Sequence, residues 1–145
     1  MIRQVSVFIQ NQEGKLGKVL DILAENDINI RSLTIAETAD YGILRLILQD
    51  TDKALEGLKA AGIMANVSMV MAAEVPDKPG GLSRLVDTLT KEKINLAYAY
   101  SFLPQNTSNA IIIFKVDDGD VDRARTVLSA SENVVLLDKD ELLQK

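Results

Sequence analysis

The chain has 145 residues, a formal net charge of −5, and neither cysteine nor histidine. Disulfides and thiolate metal sites are therefore excluded, and the most common general base and metal ligand are missing. The acidic balance argues against nucleic acid, because phosphate binding needs Lys and Arg clustered on one face. No apolar run approaches the roughly 18 residues of a membrane span, and no signal-peptide pattern opens the chain. We therefore expect a cytoplasmic protein without membrane contact.

The first 25 residues predict a strand, a turn and a helix. Apolar and polar side chains alternate over residues 5–10, and the turn Asn11-Gln12-Glu13-Gly14 follows. Apolar residues then recur at i, i+3, i+4 and i+7, which is one face of a helix. The expected core positions are Val5, Val7, Ile9, Leu16, Val19, Leu20 and Leu23.

Residues 28–62 predict two strands and a second helix. Residues 28–38 are rich in β-branched side chains, and residues 43–48 predict a further strand after a turn at Tyr41-Gly42. Thr51 or Asp52 is expected to cap the helix, and Gly62 to follow its end.

The whole pattern occurs twice. A shift of about 66 residues, the separation of Gly14 from Gly80, aligns residues 14–23 with 80–89 and residues 27–30 with 93–96 without a gap. The identical pairs are Gly14 and Gly80, Leu16 and Leu82, Asp21 and Asp87, Leu23 and Leu89, Ile28 and Ile94, and Asn29 and Asn95. We infer an internal duplication.

The second copy predicts the same elements as the first. Leu82, Leu85, Val86 and Leu89 keep the helical spacing. The other elements expected are strands at 97–102, 110–116 and 134–137, a loop at 104–109 and a helix at 121–128. Asp138 and Glu141 have the spacing of a capping box for a short last helix.

Two βαββαβ modules follow from this order, residues 1–67 and residues 68–145. The fold class is α+β, with two ferredoxin-like antiparallel sheets and helices on one face of each. Ile111-Ile112-Ile113-Phe114 offers no polar face, so we expect that strand to be buried on both sides, its outer face against another sheet. No Gly or Pro separates residues 64–67 from 68–75, which predicts one nearly continuous extended segment serving both modules.

The best candidate site is the turn between the first strand and first helix of each copy. It reads Asn11-Gln12-Glu13-Gly14 in the first copy and Asp77-Lys78-Pro79-Gly80 in the second. A structural interpretation is that Asn11 and Asp77 satisfy backbone donors, while the glycines permit a tight helix entry. A functional interpretation is that the bare helix N-terminus takes a carboxylate and the Asn or Asp takes an ammonium group. An α-amino acid carries both groups.

These turns, followed by a helix and Ile-Asn-(Ile/Leu), resemble the ACT domain, a small-molecule regulatory module of amino-acid metabolism. The resemblance covers nearly the whole chain, once per copy, and Asp77-Lys78-Pro79-Gly80-Gly81-Leu82 is the closer match. Glu13 stands where the first copy would usually have proline. With Asn11, Gly14 and residues 29–35, the first copy is also similar to the N-terminal module of acetolactate synthase regulatory subunits.

The resemblance implies that amino acids bind between two modules, against the turn of one and strand two of the other. The turn residues implied are Asn11, Gln12, Gly14, Lys15 and Leu16, with Asp77, Lys78, Gly80, Gly81 and Leu82. The strand-two residues implied are Asn29, Ile30, Arg31 and Ser32, with Asn95, Leu96, Ala97 and Tyr98. The two asparagines are open to a purely structural interpretation, as residues that turn the chain.

Two other groups of residues could bind a ligand or a metal but also have a purely structural interpretation. Tyr98, Tyr100 and Phe102 share one strand face, as a packed surface or as an apolar wall for a ligand side chain. The acidic residues at 117, 118, 120 and 122 lack the spacing of a calcium loop and suit a helix start. We expect no metal and no cofactor.

The sequence therefore predicts a non-catalytic sensor, a homodimer that binds a free amino acid. The alternative is a regulatory subunit that docks on an amino-acid biosynthetic enzyme such as acetolactate synthase. A catalytic role lacks support, because no histidine, cysteine or paired carboxylate spacing is present.

Overall fold

The computed structural model describes residues 1–145, which form two compact units. The first unit is Arg3–Ser68, and the second comprises Met1–Ile2 with Met69–Lys145. Each unit has its own hydrophobic core. None of the helices combines the length and the apolar character that crossing a membrane requires.

The first unit contains two helices and an antiparallel sheet in which β3 lies between β1 and β2. Its elements are β1 (Ile2–Gln10), α1 (Lys15–Glu25), β2 (Ile30–Glu37), β3 (Tyr41–Leu48), α2 (Thr51–Ala60) and the start of β4 (Ala65–Val75). The core forms between the sheet and the helices, because apolar residues alternate along the strands and recur at helical spacing. Its most buried members are Val5, Val7, Leu23, Leu44, Leu46, Ala54 and Leu58.

The second unit repeats this arrangement and adds a short last helix. Its elements after β4 are α3 (Gly81–Lys91), β5 (Leu96–Phe102), β6 (Ala110–Val116), a 3-10 helix (Asp118–Asp120), α4 (Val121–Ser129), β7 (Val135–Leu137) and α5 (Lys139–Gln144). β6 pairs antiparallel with both β4 and β5, and β7 pairs with β4. The predicted βαββαβ fold is confirmed in both copies. The capping box of α5 is also confirmed, with both Asp138–Glu141 hydrogen bonds at 2.8 Å.

The junction between the copies is one strand. β4 runs without interruption from Ala65 to Val75, so the predicted continuous segment is confirmed. Four of its residues fall in the first unit and the other seven in the second. The prediction that Ile111–Phe114 is buried on both sides is also confirmed, since all four side chains are buried.

Two details differ from the sequence prediction. The cap of α2 is Asp50, whose carboxylate accepts the Lys53 N–H at 3.1 Å, and not Thr51 or Asp52. Thr51 is instead the first helical residue and is buried. On α3 the apolar stripe is wider than the buried face, because Leu82 and Val86 are 47% and 36% exposed.

The duplication extends to unusual backbone positions. Gly14 and Gly80 are both left-handed, with φ of 80° and 87°. Asp27 and Lys93, also one repeat apart, are left-handed without being glycine, with φ of 54° and 57°. Each copy has a register shift early in its second strand, between Ile30 and Ser32 and between Leu96 and Tyr98. The repeat therefore preserves a backbone path as well as a core pattern.

After the second strand, the shift that aligns the two copies is two residues longer than before it. Phe8 lies opposite Ile43 in the first sheet, and its counterpart Glu74 lies opposite Ile111 in the second. The connection between β5 and β6 is correspondingly longer than the one between β2 and β3. By this register, Gly42 corresponds to Ala110 and Tyr41 to Asn109.

Candidate ligand-binding site

The N-terminus of α1 is open. Gly14 occupies the cap position in the left-handed conformation, and no side chain caps the helix. The first intrahelical bond runs from the Lys18 N–H to the Gly14 carbonyl at 3.0 Å. The N–H groups of Leu16 and Gly17 precede that bond, so they have no intrahelical acceptor. A Cβ on Gly17 would meet nothing within 4 Å. Such a helix end favours an anion through its dipole and its free N–H groups.

Asn11 joins the turn to the neighbouring hairpin. Its backbone N–H donates to the Asp40 carbonyl at 2.8 Å, and its side-chain Nδ2 donates to the carbonyls of Thr38 and Ala39 at 3.3 Å each. The side chain therefore satisfies backbone acceptors in another loop, whereas the structural interpretation of the sequence expected it to satisfy backbone donors.

A cavity of about 120 Å³ lies beside this turn. Its lining residues come from β1, the turn, α1, β2 and β3: Ile9, Gln10, Asn11, Gln12, Leu16, Ile35, Glu37 and Gly42. Gly42 is paired with Ile9 on one side and with Glu37 on the other, so the middle strand contributes no side chain there. The cavity thus combines apolar walls with one carboxylate, next to an uncapped helix.

The second turn has the same backbone but tighter packing. Gly80 is the left-handed cap of α3, and again no side chain caps the helix. The Gly81 N–H donates to the Lys78 carbonyl at 3.0 Å, and a Cβ on Gly81 would lie 2.1 Å from the Pro76 carbonyl oxygen. Only glycine fits there. Asp77 is exposed and makes no side-chain hydrogen bond within the chain.

The predicted turn residues of the first unit do not all line the same cavity. Asn11, Gln12 and Leu16 line the cavity, whereas Lys15 lines a different groove on the other side of the turn. In the second unit Lys78, Gly80 and Leu82 are exposed around the α3 N-terminus, and Gly81 is buried.

The predicted strand-two residues lie away from the cavity in the first unit. Arg31 and Ser32 are buried, Ile30 is half-buried and Asn29 is exposed. The Arg31 guanidinium donates to Gln49 Oε1 at 3.2 Å, and the Asn29 carbonyl accepts the Gln49 N–H at 3.0 Å. These contacts tie the start of β2 to the end of β3.

The counterparts in the second unit are more open. Asn95 and Ala97 are exposed, while Leu96 and Tyr98 are half-buried. Tyr100 is also half-buried and Phe102 is buried, so the face that these aromatic residues share is packed toward its Phe102 end.

Sequence reasoning missed Ile35, Glu37 and Gly42. Ile35 and Glu37 lie on the same face of β2 by period-two alternation, which the sequence did show. What the sequence did not show is the pairing register that sets Glu37 opposite Gly42 and Gly42 opposite Ile9. Register depends on the hairpin between the strands, where Asn11 makes its long-range bonds.

A buried carboxylate lies outside the turns. Glu74 on β4 accepts hydrogen bonds from Thr107 Oγ1 at 2.7 Å and Asn109 Nδ2 at 3.0 Å, and pairs with Lys145 Nζ at 3.0 Å. The Thr107 bond chiefly lowers the pKa of Glu74, with help from Asn109 and Lys145 and against the effect of burial. The carboxylate is buried, and its three partners all belong to the chain, so we assign it a structural role.

Two of the four residues in the acidic run, Asp118 and Asp120, form local ion pairs. Asp118 pairs with Lys115 at 2.9 Å, and Asp120 pairs with Arg123 at 2.8 Å. No three His, Cys, Asp or Glu side chains are grouped so as to hold a metal ion.

Comparison with known protein families gives one match, the ACT domain pair, over residues 1–144. The chain belongs to this family. The predicted recognition of two tandem ACT modules is therefore confirmed. ACT domains are regulatory, non-catalytic modules that bind small molecules. No curated protein sequence matches the chain.

Solved structures share the ACT-pair fold. A protein from Bacteroides thetaiotaomicron is 34% identical, with a TM-score of 0.89 over 99% of this chain and 96% of that one. The ligand-free regulatory subunit of aspartate kinase from Thermus thermophilus is 16% identical, with a TM-score of 0.64 over 88% and 91% of the two chains. The regulatory subunit from Thermus flavus is 19% identical, with a TM-score of 0.60 over 88% and 91%. The likeness to the aspartate kinase subunits is one of fold.

Proposed function

We propose that this ACT domain pair is a non-catalytic sensor of a free α-amino acid, bound at the turns between the first strand and first helix of each module. The observation that carries the proposal is the cavity beside the first turn. It brings an uncapped helix N-terminus and the Glu37 carboxylate to one small space. The helix end suits the ligand's carboxylate and Glu37 suits its ammonium group.

The second turn also combines an uncapped helix N-terminus with a carboxylate, but the carboxylate comes from a different position. Glu37 corresponds to Leu103, which is exposed, but the turn itself carries Asp77 where the first turn has Asn11. Each module thus has one carboxylate near an open helix end. Leu82 and Leu103 add exposed apolar surface in the second module, so we expect the two turns to differ in affinity for the same amino acid.

We further propose that the protein acts as a cytoplasmic homodimer. Docking on an amino-acid biosynthetic enzyme, of the kind suggested by the resemblance to acetolactate synthase regulatory subunits, is the alternative account. Sensing by a dimer needs only that the ligand prefers one arrangement of the modules over another.

The first test is a thermal-shift screen of the whole chain against the twenty amino acids. A ligand at one hundred times its dissociation constant stabilises the folded state by about 2.7 kcal/mol, which raises Tm by several degrees. A rise with one or a few amino acids supports the sensor. No rise with any of them overturns amino-acid binding and leaves enzyme docking as the better account.

Gly17 offers a sharper version of the test. Gly17→Glu places a negative charge in the first turn of α1, where it interacts favourably with the helix dipole but repels a bound carboxylate. We expect it to fold normally and to lose the shift caused by the amino acid. The matched control Gly17→Ala stabilises the helix by about 1 kcal/mol and keeps that shift. Equal shifts in both variants would place the ligand elsewhere.

Variants of the second turn locate the second site. Ser83 is the counterpart of Gly17, it is exposed, and Ser83→Glu with Ser83→Ala repeats the design on α3. Loss of response in only one of the two glutamate variants identifies the module that binds.

A further inference from the structure

Three branched apolar side chains line the cavity beside the first turn. Ile9 comes from β1, Leu16 from α1 and Ile35 from β2. Ile9 and Leu16 pack against the core of the first unit, and Ile35 lies on the same side of the sheet because it is paired with the core residue Leu44. Ile35 itself is exposed. A ligand in the cavity can therefore reach apolar surface that the core leaves uncovered.

Gly42 provides the space between two of these side chains. A Cβ at this position would lie 3.5 Å from Ile35 Cγ2 and 3.7 Å from Ile9 Cγ1. Gly42 is not among the glycines with a left-handed backbone, so its conformation does not require glycine. Glycine inside a strand often marks a place where a ligand approaches the backbone closely. The missing side chain thus leaves room for a ligand group against both isoleucines.

Charge in the cavity is limited to one carboxylate. Glu37 is the only titratable residue that lines it. In the proposed sensor, that carboxylate holds the ammonium group of the ligand, and the present inference rests on that proposal. A negatively charged ligand side chain would be repelled by Glu37 and would find no cation, and a positively charged one would have to share the single carboxylate. The cavity therefore favours an uncharged side chain, and its walls favour an apolar one.

The size of the cavity narrows the choice further. Its volume is about 120 Å³. An apolar cavity of about 150 Å³ holds a benzene ring. A leucine or isoleucine side chain is smaller than that ring, whereas the aromatic amino acids carry a ring of that size or larger. The cavity therefore suits a branched aliphatic side chain.

The second unit shows that the fold does not require this combination. The counterpart of Gly42 is Ala110, which is paired with Val75 as Gly42 is with Ile9. Ser101 stands one repeat after Ile35. Alanine is therefore accepted at the position of Gly42, and a polar side chain at the position of Ile35. The space and the apolar wall are specific to the first unit.

We infer that the first module binds leucine or isoleucine, and that Gly42 sets the upper size of the ligand side chain. The branched end of the ligand lies between Ile9 and Ile35 and over the Gly42 backbone. Each methylene group placed there leaves water for an apolar surface, so affinity should fall from leucine to valine to alanine.

Isothermal titration of the whole chain with single amino acids tests the inference. The ligands are leucine, isoleucine, valine, alanine, phenylalanine, lysine and glutamate. We expect leucine or isoleucine to bind most tightly, and each methylene group removed to weaken binding by about fourfold.

Gly42→Ala is the decisive variant. Its Cβ has no neighbour closer than 3.5 Å, so the variant should fold, and its Tm should rise because alanine restricts the unfolded chain. We expect leucine and isoleucine to bind about tenfold more weakly or worse, while alanine binding stays nearly unchanged. The matched control Ala110→Gly in the second unit should leave the affinity for leucine unchanged.

Ile35→Ser tests the apolar wall separately. It introduces the residue that the second unit has at this position, and Ile35 is exposed, so the variant should fold. Leucine binding should weaken more than alanine binding, because only the longer side chain reaches the wall.

Three results would overturn the inference and leave the sensor proposal standing. Tightest binding of phenylalanine, lysine or glutamate would show that the ligand class is wrong. Unchanged leucine binding in Gly42→Ala would place the ligand side chain elsewhere. Equal weakening of leucine and alanine in that variant would show that Gly42 does not select by size. Failure of every amino acid to bind would instead overturn the sensor proposal itself, and the inference with it.

Discussion

In the first unit Phe8 stacks on Tyr41, and in the second unit the same two positions hold Glu74 and Asn109, joined by a hydrogen bond of 3.0 Å. Both aromatic side chains are exposed, Phe8 at 65% and Tyr41 at 43%. In the polar pair Glu74 is buried, and it also pairs with Lys145, whose carbonyl accepts the backbone amides of Gln105 and Asn106 in the β5–β6 loop. The two copies keep one backbone, but they use this position for an exposed aromatic contact in the first unit and for a buried carboxylate in the second.

The turns diverge in the same manner. Lys15 at the start of α1 is exposed, while Gly81 at the start of α3 is enclosed by the Pro76 carbonyl. Substituting alanine at this position in each copy therefore compares how tightly the two turns are packed.

Gly81→Ala should have the largest effect on stability. Alanine normally favours a helix over glycine by about 1 kcal/mol, but here its Cβ would overlap a backbone oxygen that cannot move freely. We expect a net loss on the order of 3 kcal/mol, measured by urea unfolding. Lys15→Ala, the matched change in the first unit, should stay within about 0.5 kcal/mol. Equal effects at both positions would contradict the difference between the turns.

Glu74→Gln should have the next largest effect, and that effect should depend on pH. The folded pKa of Glu74 lies below its ordinary value of 4.5, mainly because Thr107 donates a hydrogen bond to the carboxylate. The native state thus gains stability from Glu74 above that ordinary pKa, and loses it as the pH falls through the folded pKa. At pH 7 we expect the variant to be less stable by about 1.5 kcal/mol.

A pH series of unfolding measurements checks this expectation. The difference between wild type and Glu74→Gln should shrink as the pH is lowered below the ordinary carboxyl value. Phe8→Leu, the matched change in the first unit, should lose about 1 kcal/mol of stacking and burial at every pH. A constant Glu74→Gln difference across the acid range would rule out the charge as the source of the stability.

Lys93→Gly should have the smallest effect, and its direction is opposite. Lysine is disfavoured in the left-handed conformation, so glycine relieves strain in the folded state. Glycine also raises the entropy of the unfolded chain, which offsets part of that gain in stability. We expect a net stabilisation of roughly 0.5 kcal/mol in thermal unfolding. Asp27→Gly should gain less, because aspartate tolerates this conformation better. A loss of stability in both variants would mean that side-chain contacts outweigh the strain.

Much of the fold was predictable because the duplication shows each pattern twice. The turn glycines and the helical spacing after them recur one repeat later, and the strand at residues 110–116 follows from its run of apolar, β-branched residues. The two-residue offset after β5 did not, because it arises in an irregular loop with no periodicity to follow. The Asp50 cap was missed since three consecutive residues, Asp50 to Asp52, are all good capping residues.

The candidate site was predictable only in part. Asn11, Gln12 and Leu16 could be named from the glycine turn, because that turn is a local feature. Glu37 and Gly42 join them through strand pairing, which brings together residues distant in the chain.

The first two residues of the chain have an unusual place in the fold. Met1 and Ile2 belong to the second unit, where Met1 packs against its core beside Leu136 and Leu137. During synthesis they emerge before Arg3–Ser68, yet their packing partners Leu136 and Leu137 emerge after that whole segment. The first unit can therefore acquire its core before the residues that pack against Met1 have been made. Co-translational folding should proceed in two stages, with Met1 and Ile2 buried only in the second.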